Sequence, residues 1–272
     1  MNWLQALGEA AFGGAILLWL PVMGVTALVV ILILAELLWP LHRDQRDASR
    51  IPGNFAIFLL NLGVTALLPL TGVAAAEWAR DAGFGVLHWV AAPIFIVVAI
   101  TVIVRSLLVY WLHRLAHRVP LLWRMHRVHH CDTEVDLSTG LRHHPLEVVY
   151  VATITAAAAA LIGLSPVALA VYELVAIAFA LWTHANTSLP EAADRHASLL
   201  LMTPTVHHVH HSAHQEQTDS NYGDVFTLWD RLLGTFQAPP RDTVRALRLG
   251  LGDEHDARAK NILFQLGAPF RP

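Results

Sequence analysis

Charged residues and cysteines are both scarce in this sequence. Asp, Glu, Lys and Arg make up only 14% of the 272 residues, whereas about 25% is usual in soluble domains. Hydrophobic residues reach 55%, so the composition indicates a membrane protein. The net charge of −3 is too small to argue for a nucleic acid partner. The single cysteine, Cys131, excludes an intrachain disulfide, and we interpret it as a plain neighbour of His130 rather than a metal ligand.

The first fourteen residues contain no Lys or Arg, which a cleaved signal peptide would need. The apolar run that follows, from about Ala10 to Trp39, is also too long for a signal peptide. A lipid-spanning helix needs about 20 apolar residues. We therefore predict a retained span.

Three further apolar runs follow: about Pro52–Ala76, His88–Leu112 and Pro145–Trp182. Residues 77–85 are expected to form a short turn between the first two of these. The last run is interrupted at Gly163-Leu-Ser-Pro166, so it forms two short spans or a hairpin that dips in and returns. Arg105, well inside a run, either snorkels to the interface or faces the protein interior. We predict an all-α integral membrane bundle with four to five spans or hairpins.

Arginines are distributed unevenly between the loops. The loop at 41–50 has three, and the stretch from His113 to His144 has five. Because positive residues stay on the cytoplasmic side, the N-terminus is expected outside and every histidine cluster inside. The fold class is then a membrane bundle with a cytosolic, histidine-rich, metal-binding cap.

Histidines supply the functional chemistry. His113 and His117 are four residues apart and share one helix face. Two further clusters repeat the spacing i, i+3, i+4: His126, His129 and His130, and His207, His210 and His211. Imidazole suits zinc, copper, iron and nickel. Eight imidazoles exceed the four ligands of a zinc site, so we predict two metal ions. His184 ends an apolar run and is placed to enter the same site.

Other histidines lie outside these spacings. We interpret His42, His88, His196 and His255 as structural or surface residues, and leave His208 and His214 open.

Three carboxylates lie beside the clusters in sequence: Asp132, Asp136 and Asp230. Metal-bound histidines usually donate their second ring nitrogen to a carboxylate or carbonyl. We predict that these three residues support the ligands in this way.

The combined pattern resembles the fatty acid hydroxylase and sterol desaturase superfamily of integral-membrane di-iron oxygenases. The resemblance covers roughly Leu108 to Phe236. It rests on His113-x3-His117, His126-x2-His129-His130, Leu141-Arg142-His143-His144-Pro145, His184-Ala185-Asn186, His207-x2-His210-His211, Asn221-Tyr222-Gly223 and Trp229-Asp230-Arg231 followed by Gly234-Thr235.

The resemblance implies a ligand set that joins the box histidines to two less uniform positions: His113, His117, His126, His129, His130, His144, His184, His207, His210 and His211. His143 stands where the family pattern leads us to expect an aromatic or apolar residue, so it is open which of His143 and His144 points inward. The implied cofactors are two iron ions, replaceable by zinc on purification, with dioxygen as co-substrate. The implied organisation is transmembrane helices at 1–107, a catalytic region at 108–236 and a cytosolic tail at 237–272.

The function implied is oxidation of a lipid C–H bond, by hydroxylation or desaturation, on a fatty acyl, sterol or ether lipid. The chain lacks a Gly-rich dinucleotide fingerprint and a cysteine cluster, so the electrons are expected from a separate donor protein. Two alternatives remain: a non-catalytic metal-binding or transport protein, and a haem protein with paired axial histidines. A transporter should carry polar ligands midway through its spans, and a haem needs one histidine on each side of the ring.

Overall fold

The computed structural model describes residues 3–44, 47–252, 256 and 258–271, with side chains from Trp19 onward. His255 lies outside these residues. Within them the regular structure is helical, apart from two isolated antiparallel bridges, Leu201–Phe226 and Ser212–Leu249. The prediction of an all-α fold is confirmed.

The α-helices, numbered in chain order, are α1 (Trp3–Leu38), α2 (Ile51–Leu67), α3 (Gly72–Ala82), α4 (Val86–Trp89), α5 (Ile94–Arg118), α6 (Pro120–His130), α7 (Pro145–Ile162), α8 (Pro166–His184), α9 (Glu191–Ala197), α10 (Pro204–His210), α11 (Gln215–Thr218), α12 (Leu228–Leu232), α13 (Arg241–Arg245) and α14 (Ile262–Gly267).

Five stretches of the described chain are long and apolar enough to cross a membrane: Trp19–Leu38, Ala48–Trp89, Ile94–Arg118, Pro145–Ile162 and Pro166–His184. Large apolar side chains on them, such as Met23 and Leu37, are exposed, as a helix surface that faces lipid requires. The prediction of four to five spans is confirmed. The side of the membrane on which the histidines lie stays a prediction.

The second span is broken, which corrects the expected run to Ala76 and the expected turn at 77–85. The helix α2 ends at Leu67, just before Pro69, which cannot continue it. The Thr71 side chain then accepts a hydrogen bond from the Ala74 N–H and caps α3, which continues to Ala82. Only at Gly83, in the left-handed conformation at φ 60°, does this helix end. Residues 77–82 are therefore helical.

The fourth apolar run forms two antiparallel helices, α7 and α8. Gly163, at φ 76°, ends α7, and the Ser165 hydroxyl accepts a hydrogen bond from the Ala168 N–H at the start of α8. A Cβ on Gly85 would lie 2.6 Å from the Ala160 carbonyl oxygen, so only glycine lets the α3–α4 turn approach this closely. With 18 and 19 residues, α7 and α8 are each about 27–28 Å long. His144, just before α7, and His184, at the end of α8, therefore lie at the same end of the helix bundle.

The loop between α6 and α7 is held by Arg142, which is fully buried. Its guanidinium donates to the carbonyl oxygens of Val128 and Ala259, at 2.6 and 2.7 Å, and to Asn54 Oδ1 at 2.6 Å. These bonds connect the loop to α6, to α2 and to the C-terminal part of the chain. The carbonyl of Arg142 is thereby fixed next to the histidines.

Arg105 faces the interior rather than snorkelling. Its Nε and Nη2 donate to the two carboxylate oxygens of Glu173, at 2.6 and 3.1 Å, and this pair joins α5 to α8. A charged group inside a membrane span is costly unless it is paired. The pair explains how an arginine is accommodated within an apolar helix.

Candidate metal centre

The structure brings nine of the histidines predicted as ligands into two adjoining groups. The first group contains His113, His117, His126, His130 and His210, and the second contains His129, His184, His207 and His211. In each group the ligand nitrogens lie within 4.8 Å of one another. The groups meet where the rings of His130 and His211 stack, with centroids 4.7 Å apart.

Four helices supply these side chains. The four-residue spacing of His113 and His117 places both on one face of α5, near its end. The cluster on α6 occupies its last turn, and the cluster on α10 occupies the end of that helix, with His211 as its C-cap. His184 is the last residue of α8. Each group therefore combines histidines that come before α7 in the chain with histidines that come at or after the end of α8.

Backbone carbonyls orient several of the rings through Nδ1. His113 Nδ1 lies 2.8 Å from the Tyr222 carbonyl oxygen, and His210 Nδ1 lies 2.7 Å from that of Ser220. His129 Nδ1 is 3.1 Å from the Arg142 carbonyl oxygen. Because a carbonyl only accepts, each of these Nδ1 atoms carries the proton, and the Nε2 lone pair is left for a ligand bond.

Unprotonated Nε2 atoms face one another in the centre, an arrangement that a bound cation would stabilise. His129 Nε2 and His184 Nε2 are 3.0 Å apart. The Nδ1 proton of His184 is engaged by the Ala180 carbonyl oxygen at 2.6 Å, as that of His129 is by Arg142. Two lone pairs at this distance repel each other. In the other group, the Nε2 atoms of His113 and His210 are buried without a hydrogen-bond partner. The arrangement fits a divalent metal ion in each group.

Burial keeps the rings outside the membrane spans in their neutral form. Loss of hydration, reinforced by the neighbouring imidazoles, lowers the pKa of His129, His130 and His207 well below its ordinary value. The same desolvation lowers the pKa of His210 to about 3. Neutral imidazole is the form that binds a metal, so the site is ready for metal at neutral pH.

A cavity of about 570 Å³ extends from the histidines into the space between the membrane helices. His113, His129 and His184 line it where the spans end. Further along, apolar side chains such as Val151 and Ile177 form its walls. Ligand pockets of this size are typically lined by apolar side chains with a few polar groups. The cavity suits an apolar molecule with one part next to the imidazoles.

Residues 98–235, about half of the chain, match the family model described as fatty acid hydroxylase. The chain belongs to the fatty acid hydroxylase family.

Three curated proteins illustrate what the chain is similar to. Human alkylglycerol monooxygenase is 34% identical over 141 residues, which are 51% of this chain and 30% of that protein. Ornithine lipid hydroxylase OlsE of Rhizobium tropici is 30% identical over 179 residues, 65% of this chain and 51% of that protein. Cholesterol 25-hydroxylase-like protein of Danio rerio is 29% identical over 124 residues, 45% of this chain and 48% of that protein.

The chain matches between 30 and 51% of the length of these relatives. No solved structure is significantly similar to it.

Glu147 is a supporting residue that the sequence reasoning missed. Its Oε1 lies 2.7 Å from His126 Nδ1 and 3.5 Å from His143 Nδ1. These three residues form a further cluster of possible ligands. Because His126 Nδ1 is at hydrogen-bond distance from the carboxylate, we interpret Glu147 as the acceptor that orients His126. An acidic residue four positions after His143, at the start of an apolar run, was the signal in the sequence.

His144 is the one predicted ligand that lies outside both groups. Its Nδ1 accepts a hydrogen bond from the Leu146 N–H, capping α7, and its Nε2 is 3.2 Å from the Leu266 carbonyl oxygen. Both ring nitrogens are therefore engaged away from the centre. His143 is the inner residue of the pair, because its ring stacks on His129 with centroids 4.6 Å apart.

None of the three predicted carboxylates accepts a hydrogen bond from an imidazole in the described part of the chain. Asp132 accepts from Arg50, Asn54 and the Thr139 hydroxyl, at 2.8, 3.0 and 2.7 Å. Asp136 pairs with the same arginine. The two therefore secure the loop after α6 rather than the rings.

Asp230 acts through the backbone. Its oxygens accept the N–H groups of Tyr222 and Gly223, both at 2.8 Å, and the Thr235 hydroxyl at 2.7 Å. The carbonyl of Tyr222 in turn holds His113. A carboxylate not considered at the sequence level, Asp219, lies 3.5 Å from His117 Nδ1.

The other histidines are separate from the centre. His42 and His208 stack in parallel, 3.0 Å apart between Nε2 and Nδ1, and His208 Nε2 is 3.1 Å from the His184 carbonyl oxygen. His196 and His214 are exposed. Cys131 is buried, with its sulfur next to Arg142 and the Val128 carbonyl oxygen, and burial raises its thiol pKa. The thiol is a neighbour of the site, not part of either group.

Proposed function

We propose that this protein is a membrane-bound di-iron oxygenase that oxidises a C–H bond of a membrane lipid. The observation that carries the proposal is the pair of imidazole groups at the mouth of an apolar cavity of about 570 Å³. The names of the relatives, which are monooxygenases and hydroxylases, favour insertion of oxygen over desaturation. The lipid class, whether fatty acyl, sterol or ether lipid, is left open.

Nine histidines would hold the two irons: His113, His117, His126, His130 and His210 for one, and His129, His184, His207 and His211 for the other. Bound there, the irons would supply activation of dioxygen for attack on an unactivated C–H bond.

The protein contributes ligand orientation, charge and exclusion of water. The Tyr222 and Ser220 carbonyls fix the direction of His113 and His210. The buried carboxylate of Glu147 partly offsets the positive charge of a centre made of neutral imidazoles. The apolar walls at Val151 and Ile177 would position a lipid chain with one carbon beside the imidazoles.

We also propose how the chain is organised in the cell. The region 1–107 forms transmembrane helices, 108–236 the catalytic region and 237–272 a cytosolic tail, with the metal centre on the cytoplasmic face. The electrons would come from a separate donor protein, because the sequence contains no dinucleotide fingerprint and no cysteine cluster.

The test is lipid profiling of membranes supplied with ¹⁸O₂ and a reductant, with and without the protein. We expect a lipid whose mass rises by one labelled oxygen atom. The double variant His129→Ala, His210→Ala should abolish the product, whereas His196→Ala, at an exposed histidine, should not. Full activity of the double variant would exclude the di-iron proposal. A non-catalytic metal-binding or transport role would then be favoured.

A further inference from the structure

The part of the chain that follows the last span carries an exposed apolar surface. Leu199, Leu200, Leu228, Leu232 and Leu233 are 56, 66, 43, 66 and 40% exposed. We name these five residues the leucine patch. A cluster of large apolar side chains on a surface marks an interaction site rather than ordinary exposure to water.

Backbone bonds hold the two halves of the leucine patch together. The Thr227 N–H donates to the Leu200 carbonyl oxygen at 3.0 Å, next to the Leu201–Phe226 bridge. The Thr227 hydroxyl donates to the Ser198 carbonyl oxygen at 3.1 Å. The turn that follows α9 and the helix α12 therefore present a single surface.

Side-chain contacts fix this surface against a membrane-spanning helix. Trp229 Nε1 donates to the Ser106 hydroxyl at 3.0 Å, and the Tyr110 and Thr235 hydroxyls are 3.0 Å apart. Ser106 lies at the middle of the α5 span. It is seven residues before His113, or about 10 Å along the helix axis. Trp229, which lies among the leucines of α12, thus contacts α5 within its apolar segment rather than beyond its end.

The apolar surface of α5 continues into the leucine patch. Ile103 lies one helical turn before Ser106, on the same side of α5, and is 49% exposed. The helix α9, which directly precedes Leu199 in the chain, carries the exposed charged residues Glu191 and Arg195. An apolar surface next to a span, bordered by charge, has the pattern of a segment that lies in a membrane interface.

Arg231 lies between Leu228 and Leu232 on α12, and two of its nitrogens donate hydrogen bonds inside the protein. Its Nη2 donates to the Ser198 carbonyl oxygen at 2.8 Å, and its Nε to the Thr227 hydroxyl at 3.3 Å. The guanidinium lies over the Phe236 ring, 3.7 Å from the centroid. Contact with lipid therefore leaves both Nε and Nη2 with a hydrogen-bond acceptor, which lowers the cost of placing this side chain next to acyl chains.

We propose that the leucine patch inserts into the acyl-chain region of the bilayer beside α5, as a membrane anchor additional to the five spans. The same helix, α12, carries Asp230, which fixes the Tyr222 carbonyl and through it His113. The anchor thus attaches the C-terminal half of the metal centre to the membrane surface. The inference rests on exposure and packing, and holds whichever metal and lipid the centre uses.

The test uses single engineered cysteines in the full chain, which is favoured because Cys131 is buried. Leu200→Cys and Leu232→Cys, one from each half of the leucine patch, are labelled with an environment-sensitive dye in phosphatidylcholine vesicles. Asp242→Cys, at an exposed position on α13, is the matched control, and the unsubstituted protein measures background labelling at Cys131. Retained metal content and melting temperature verify that each variant is folded.

We expect lipids brominated on their acyl chains to quench the dye at positions 200 and 232, with aqueous iodide ineffective. The reverse is expected at position 242. Iodide quenching at 200 and 232 equal to that at 242 would overturn the proposal. So would shielding from both quenchers together with disulfide cross-linking between two copies of the Leu232→Cys variant, since the partner would then be a second copy of the chain.

Discussion

Glu147 Oε1 lies 2.7 Å from His126 Nδ1, at the start of a helix that is otherwise apolar. This carboxylate is buried next to imidazoles and accepts a hydrogen bond from a ring whose other nitrogen faces the metal centre. Its charge and its position both favour metal binding.

We expect Glu147→Gln to weaken metal binding by about 10–100-fold, because loss of such a partner typically has this effect. The amide keeps the shape of the side chain but removes the negative charge. The measurement is metal per protein after dialysis against graded chelator. Glu216→Gln, at an exposed position, is the control and should bind metal as the original chain does. Unchanged retention in Glu147→Gln would refute the assigned role.

The two imidazole groups predict two metal ions per chain. Elemental analysis of the purified protein should give close to two equivalents, as iron or as zinc. His207→Ala removes a ligand of the second group only and should lower the stoichiometry towards one. A single equivalent that His207→Ala leaves unchanged would contradict the model of two adjoining sites.

Asp230 and Asp132 should differ in what their loss changes. Asp230→Asn weakens the hold on the Tyr222 backbone, and through it on His113, so we expect metal to dissociate more easily. Asp132→Asn removes one of the carboxylates that pair with buried Arg50, while Asp136 remains. We therefore expect a loss of stability below the roughly 3–5 kcal/mol that is typical when a buried charge loses its only partner. The folded fraction of Asp132→Asn should still bind two metal ions. Melting temperature and metal retention, measured on both variants, separate the two effects; identical behaviour would mean that Asp230 is only structural.

The clusters of ligands were predictable because helical spacing determines which histidines share a face. The pattern of His113 and His117, repeated in two larger clusters, needs no knowledge of the tertiary fold. The partners of the rings were not predictable in the same way. Asp132 lies two residues after His130 in sequence, yet its side chain turns towards Arg50, which is 82 residues distant.

Backbone carbonyls account for most of the ring partners that the sequence did not predict. His113 and His210 are oriented by carbonyl oxygens of residues 220 and 222, and a carbonyl leaves no trace in a sequence. The break at Pro69 and the cap at Thr71 were visible as residue types. Their meaning depended on the packing of α3, whose Ala75, Ala76 and Ala79 are completely buried.

The arginine distribution predicts that both histidine halves face the cytoplasm. Reporter fusions at position 46 and after Phe236 should both report the cytoplasmic side. In the structure, His42 and Arg50, on either side of position 46, bond to Asn186 and Asp132, which follow His184 and His130 closely in the chain. The two fusion sites are therefore expected on the same side in any case. Two reports from the outer side would reverse the orientation but keep the fold. Reports from opposite sides would contradict the structure itself.

The cavity predicts a variant that loses activity while keeping its metal. Ala176 lines the cavity on α8, eight residues or about two helical turns before His184. In Ala176→Phe the added ring occupies space that a lipid chain needs, so we expect turnover to fall at least about 10-fold through misplacement of the substrate. The neighbouring Val175 is 39% exposed on the outer surface of the same helix, and Val175→Phe is therefore the matched control. Product formation and metal content are measured on both variants in vesicles.

Loss of activity in Ala176→Phe alone, with two metal ions retained in both, would identify the cavity as the substrate site. Equal activity in the two variants would exclude it, because a lipid that is oxidised without entering this space must approach the imidazoles from another direction.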